Sequence, residues 1–223
     1  MIQPRTLQFL KNLKKNNQKA WFDANRTVYE VAKADFTSFV QTVIDGLGKK
    51  DKTIQHLSAK DCLFRINRDV RFSKDKSPYK TNFGASINVG GKKAMNTAGY
   101  YVHLEPGGTF IGGGIYAPNA TELRKIRQEI DYYFTAFKKI VTAKKFAAVY
   151  GDLDRTKNNV LSRVPKGYEP DNAAAEYLKL KNYVALAPIT AAELNSKEIV
   201  KKVIACLETL QPLVYFINEA VKE

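Results

Sequence analysis

The most chemically loaded stretch of this 223-residue chain is Arg65–Thr81, RINRDVRFSKDKSPYKT, with three arginines, three lysines and two aspartates around one phenylalanine and one tyrosine. Planar guanidinium groups at Arg65, Arg68 and Arg71 suit a bidentate grip on phosphate or carboxylate, and Lys74, Lys76 and Lys80 add point charges. The arginines recur every third residue, so they do not share one strand face, but in a curled loop they can converge. Asp69 and Asp75 have two readings. Either they pair with neighbouring cations and hold the loop in shape, or one is a general base or metal ligand kept ionised by those cations.

A second group lies downstream in YYVHLEP. On a strand, Tyr101, His103 and Glu105 share one face, with Tyr100, Val102 and Leu104 on the other. Histidine beside a carboxylate can move protons near neutral pH, although a strand histidine is more often half-buried with its hydrogen bonds satisfied. Gly112, Gly113 and Gly114 follow in a strand context, where glycines mark a bulge, a close backbone approach or space for a ligand. No GKS or GKT follows them, so a Walker-type phosphate loop is excluded. There is no GxSxG or SxxK nucleophile motif, and no histidine–carboxylate spacing of a zinc site.

These residues need elements to hold them. Leu7, Leu10 and Leu13 keep helical spacing, predicting a helix that ends near Asn16; Val28, Ala32, Phe36, Phe39, Val43 and Leu47 predict a longer one, with Gly46 and Gly48 as stop signals. CLFRI from Cys62, NFGASINV, GYYVHLE and TFIGGGIY read as strands of an antiparallel meander, the last two joined by a PGG turn. Asn119 and Glu122 form a capping-box pair opening a helix whose stripe runs Leu123, Ile126, Ile130, Tyr133, Phe137 and Ile140. YVALAP reads as a further strand. Thr190 and Glu193 form another capping pair before a terminal helix that contains Pro212. Trp21, Phe22 and Tyr29 read as core, with base stacking as the minority alternative.

The expected fold is a single α+β domain, residues 1–223, with an antiparallel meander over about residues 62–116 packed against amino-terminal and carboxy-terminal helices. A chain of this size buries roughly 70% of its unfolded surface and needs no disulfide or metal. Cys62 and Cys206 sit in apolar settings and read as reduced core residues. No signal peptide and no run of about 20 apolar residues is present, so a cytoplasmic protein without a membrane partner is expected. Thirty-six basic and 22 acidic residues give a net charge of +14, which suggests nucleic acid as a partner or simply a lysine-rich surface.

The run FRINRDVRFSKDKSPYKT, together with KNNQKAWFDANRTVYE, GYYVHLEPGGTFIGGGIYAP and LSRVPKGY, resembles the domain of unknown function 2461 family of bacterial and fungal proteins. The resemblance covers nearly the whole chain. Its pattern matches at Trp21, Phe22, Arg26 and Tyr29; at Arg65, Arg68, Asp69, Arg71, Phe72, Asp75, Lys76, Pro78, Tyr79 and Lys80; at the hairpin glycines; and at Pro165, Lys166 and Gly167. It implies a single domain of about this length and no particular reaction.

The leading reading is a cationic pocket for a phosphate- or carboxylate-bearing small molecule, floored by the glycine hairpin. Arg65, Arg68, Arg71, Lys76 and Lys80 would hold the anion and Tyr79 would orient it. Asp69 and His103 would be the proton-transfer groups if there is chemistry; no cofactor or metal is expected. The alternative is a non-enzymatic nucleic-acid or protein interaction module using the basic surface. In a third reading the loop is structural, its arginines facing their own aspartates.

Overall fold

The structure is a computed structural model that describes residues 1–94 and 96–222. Helix α1 (Pro4–Lys15) starts with proline in its first turn, where the missing N–H is harmless, and buries Thr6, Phe9, Leu10 and Leu13. After the short α2 (Lys19–Ala24), α3 (Arg26–Leu47) buries a stripe from Tyr29 through Phe36 and Val43 to Leu47. It does not stop at Gly46. A Cβ there would lie 2.2 Å from Ile204 Cδ1, so Gly46 serves close helix packing, and Gly48 is the C-cap.

The sheet has four antiparallel strands in the order β1 (Phe83–Ile87), β2 (Gly99–Leu104), β3 (Phe110–Ile115) and β4 (Tyr183–Pro188). One face is core: Ala85, Ile87, Tyr100, Val102, Ile111, Ile115, Tyr183 and Ala185 are all at most 3% exposed. Helix α10 (Ile199–Val221) packs on β3 and β2, and α3 packs on α10 and β1. An α+β fold with an antiparallel meander enclosed by helices from both ends of the chain is therefore what forms.

The expected first strand, CLFRI, differs. Ala59–Cys62 is the single helical turn α4, and Leu63 makes one bridge to Ala85 before the chain leaves the sheet. The reason lies in its partner. Ile66–Arg68 pairs with the other limb of its own loop, Arg68 N–H donating to Pro78 O at 2.9 Å and Lys80 N–H to Ile66 O at 2.8 Å.

Between β3 and β4 lie α5 (Ala120–Tyr132), α6 (Phe134–Val141), α7 (Lys144–Tyr150) and α8 (Ala175–Leu178). The Asn119–Glu122 capping box is formed. The apolar stripe expected to run on to Ile140 is split, because the backbone leaves helical geometry at Tyr133 (φ −114°, ψ 35°). Phe137 then reaches the core while Tyr133 is exposed. The Thr190–Glu193 capping box is also formed, but it caps the four-residue α9 (Ala191–Leu194); α10 begins separately and runs through Pro212.

Cys62 and Cys206 are buried free thiols, and burial pushes Cys62 up to about 11. No helix among the described residues is long and apolar enough to cross a membrane.

Candidate functional site

The second face of the sheet carries Gly84 and Ser86 from β1, Gly99, Tyr101 and His103 from β2, Phe110, Gly112 and Gly114 from β3, and Val184 and Leu186 from β4. Above it lies a cleft of about 500 Å³. Phe64, Tyr101, Phe110, Tyr116 and Leu186 form apolar walls, and Ser86, Asn88, Lys92, His103 and Asp154 supply polar groups.

The glycines make this floor flat for a backbone reason. Gly114 has φ 113°, and a Cβ on it would lie 1.9 Å from Tyr183 O; on Gly112 it would lie 2.4 Å from Ala185 O. Of the meanings a glycine run can have, these two therefore mark close approach of β4. Gly113 points to the opposite face, toward Leu210 Cδ1.

His103 sits at one end of this floor in a chain of polar groups. Its Nε2 is 3.3 Å from Glu105 Oε2, and its Nδ1 is 3.3 Å from the Tyr101 hydroxyl and 3.4 Å from the Asn82 amide nitrogen. Burial pushes the Tyr101 phenol up to about 12, so it stays a donor. A carboxylate at Nε2 and donors at Nδ1 select the tautomer with its proton on Nε2. Phe110 stacks on the imidazole at 4.4 Å, and Glu105 also accepts from the Thr81 hydroxyl at 3.1 Å.

The Arg65–Thr81 segment forms a loop closed at its neck by the bonds described above. Arg68 is bound inside it: Nη1 donates to Asp75 Oδ2 at 2.5 Å and to Ser77 O at 3.0 Å. Asp75 also accepts from the Ser77 hydroxyl and amide, and those bonds, then Arg68, hold its carboxyl down to about 2. Arg71 makes a fork on Asp69, with Nε at 3.0 Å and Nη2 at 2.7 Å, and this lowers Asp69. Lys76 Nζ donates to Val70 O at 3.0 Å. Asp69 lines neither the cleft nor the hollow described next, so it and His103 do not share a site.

Tyr79 is 6% exposed and stacks on Phe22 at 4.0 Å, while Asn17 holds its backbone at both N–H and C=O. Phe22 and Tyr29 are buried and Trp21 packs against the core. At the loop tip Phe72 is 96% exposed, with the Arg71 guanidinium 5.7 Å from its ring.

Two cations of the stretch stand apart. Lys80 Nζ lies 5.3 Å from the Phe64 ring centroid, and its pKa is lowered by burial and by the neighbouring Arg65. Among the described residues neither Lys80 nor Arg65 has a carboxylate within ion-pair distance. Lys80 lines a polar hollow of about 310 Å³ with Lys14, Asn17, Arg68, Tyr79 and Asn82, and the Asp75 carboxylate that Arg68 and Ser77 hold is also in its wall. Asn82 and Phe64 connect this hollow to the cleft, through His103 and through the aromatic wall respectively. Arg65 lines neither, nor do Arg163 and Lys166, the two cations of LSRVPKGY.

Sequence reasoning missed Asn88, Asp154 and Leu186. Asp154 reaches the cleft because its N–H donates to Val184 O at 2.8 Å, a long-range bond with no local signature. Among the described residues no cluster of three metal-ligating side chains exists.

No curated protein and no solved structure matches the chain. A family model described as "Conserved hypothetical protein (DUF2461)" matches residues 5–216, a span that takes in the loop, the glycine hairpin and the helices that enclose them. The chain belongs to the DUF2461 family.

Proposed function

We propose that the protein binds a small molecule carrying a phosphate or carboxylate, with the anion at Lys80 and Arg65 and the body of the ligand in the sheet-face cleft. In this reading Arg68, Arg71 and Lys76 brace the loop, and Lys14 adds charge at the rim. Where the bound molecule is transformed, His103 is the proton-transfer group, its tautomer set by Glu105 and Tyr101, and Nδ1 exchanges its Tyr101 and Asn82 contacts for the substrate.

The observation that carries the reading is the contact of Lys80, which has no ion pair among the described residues and has Arg65 as a neighbour, with Phe64 in the wall of a concave, largely apolar cleft. A half-buried lysine next to an arginine costs electrostatic free energy that an anion would recover. An apolar pocket with a few convergent polar groups is the usual form of a small-molecule site. Titration calorimetry against nucleotides and sugar phosphates tests it. Binding that Lys80→Gln weakens by about tenfold or more and Arg71→Gln leaves intact supports the assignment; an absence of binding across the panel, or loss with Arg71→Gln alone, rejects it.

One observation favours a second reading, the interaction module. Phe72 is almost fully exposed on a basic loop closed by its own hydrogen bonds, a fit for stacking on single-stranded nucleic acid. This reading requires affinity that falls steeply with salt and drops in Phe72→Ala; salt-independent affinity argues against it.

A further inference from the structure

Most polar side chains of the cleft wall already have partners inside the protein. Lys92 Nζ donates to Lys60 O at 3.0 Å, the Asp154 carboxylate accepts from the Thr156 amide and hydroxyl, and both ring nitrogens of His103 are in contact with neighbours. Asn88 is buried. Sugars and nucleobases carry many donors and acceptors, and each one buried without a partner costs affinity. This wall has few groups to offer them.

The apolar groups are in the opposite state. Phe64, Tyr116 and Leu186 are exposed and line the same cleft, so they form a shared apolar surface rather than isolated surface residues. The glycine backbone beneath them is not an open shelf for a flat ring. A Cβ on Gly112 would lie 2.6 Å from Leu186 Cδ2, and one on Gly84 would lie 2.5 Å from the Tyr101 hydroxyl oxygen. Both side chains therefore lean over the floor and narrow the space above it. Along β2 the floor from His103 to Gly99 is four residues of extended chain, about 13 Å, room for a chain of about eight carbons laid lengthwise.

We infer that the body of the ligand is an unbranched alkyl or acyl chain, with its anionic head at Lys80 and the chain lying past Phe64 and Tyr101 toward Tyr116. The charge at one end and the apolar wall along the rest match the two parts of such a molecule. The placement of the head rests on the reading proposed above; the chain does not. Nucleotides and sugar phosphates meet Lys80 through the phosphate, and an alkyl phosphate adds the apolar contact that they lack.

Calorimetry of the full chain with n-butyl, n-hexyl and n-octyl phosphate, each below its aggregation concentration, separates the two claims. Affinity is expected to rise about threefold for each added methylene, so octyl phosphate should bind at least about thirtyfold tighter than butyl phosphate. It should also bind at least about tenfold tighter than phenyl phosphate or a hexose phosphate. Leu186→Asp, at an exposed position of the wall, is expected to cut the octyl-to-butyl ratio about tenfold or more. Equal affinity for butyl and octyl phosphate in the wild-type protein, or phenyl phosphate binding as tightly as octyl phosphate, overturns the chain whether or not the variant folds. Octanol binding as tightly as octyl phosphate instead overturns the placement of the anion while the chain stands.

Discussion

The Lys80 ammonium lies 5.3 Å from the centroid of the Phe64 ring, and Phe64 is a wall of the sheet-face cleft. This contact joins the cationic hollow to the apolar site. Lys80 belongs to the neck of the loop, where its N–H donates to Ile66 O, and it takes no part in the ion pairs that occupy Arg68 and Arg71.

The first prediction concerns pH. Burial and Arg65 lower the folded pKa of Lys80 below 10.5, so between the folded and unfolded values the unfolded chain binds more protons. Lys80 therefore makes unfolding harder as pH rises through that window. A bound anion reverses the sign by favouring the ammonium. Affinity for a phosphomonoester is expected to fall as pH rises from about 8 toward 10.5, a range over which the phosphate charge is constant. Lys80→Gln should flatten that profile and weaken binding by about tenfold or more, the worth of a hydrogen bond to a charged group.

The elements that could be read from sequence were those whose signal is local. Leucine spacing marked α1, the Asn119–Glu122 pair marked the start of α5, and alternation in YYVHLEP put His103 and Glu105 on one face. What was not legible depended on partners distant in sequence. CLFRI has strand composition, yet its extended residues pair within the loop; Tyr133 has the spacing of a core residue, yet the helix breaks beneath it. In the site, charge and spacing identified the loop. Only the ion pairs Arg68–Asp75 and Arg71–Asp69 distinguish braces from Arg65 and Lys80, which have no ion pair among the described residues.

The histidine prediction is spectroscopic. With Glu105 at Nε2 and the Tyr101 hydroxyl at Nδ1, neutral His103 should be the Nε2–H tautomer. Imidazole nitrogen chemical shifts read this directly. A protonated Nδ1 in the neutral ring would show that the chain of contacts runs the other way, and Glu105→Gln should increase the population of that form.

Asp75 gives an acid-range prediction. Its folded pKa is depressed to about 2 from 3.8, chiefly by Ser77 and then by Arg68, so its contribution is present above pH 3.8 and is lost as pH falls toward 2. In thermal melts across that window, Asp75→Asn should narrow the pH dependence and speed amide exchange at Ser77. Unchanged exchange at Ser77 would contradict the bracing role.

Asp51 anchors the fold beneath the site. It is fully buried and accepts from the Tyr100 hydroxyl at 2.6 Å, the Tyr215 hydroxyl at 2.9 Å, and the Thr53 amide and hydroxyl at 3.0 and 2.6 Å. These bonds outweigh desolvation and lower its pKa. Asp51→Ala orphans the buried Tyr100 hydroxyl and should cost about 3 kcal/mol in denaturant unfolding, against about 1 kcal/mol for Tyr215→Phe. A loss no larger than that of Tyr215→Phe would remove Asp51 from this role.

The most direct test of the anion site is a crystal grown with phosphate at neutral pH. An anion bound between Lys80 and Arg65, with the Arg68–Asp75 and Arg71–Asp69 pairs intact, is the predicted result. Phosphate bound at Arg68 or Arg71 with those pairs broken, or no anion at Lys80, would contradict it.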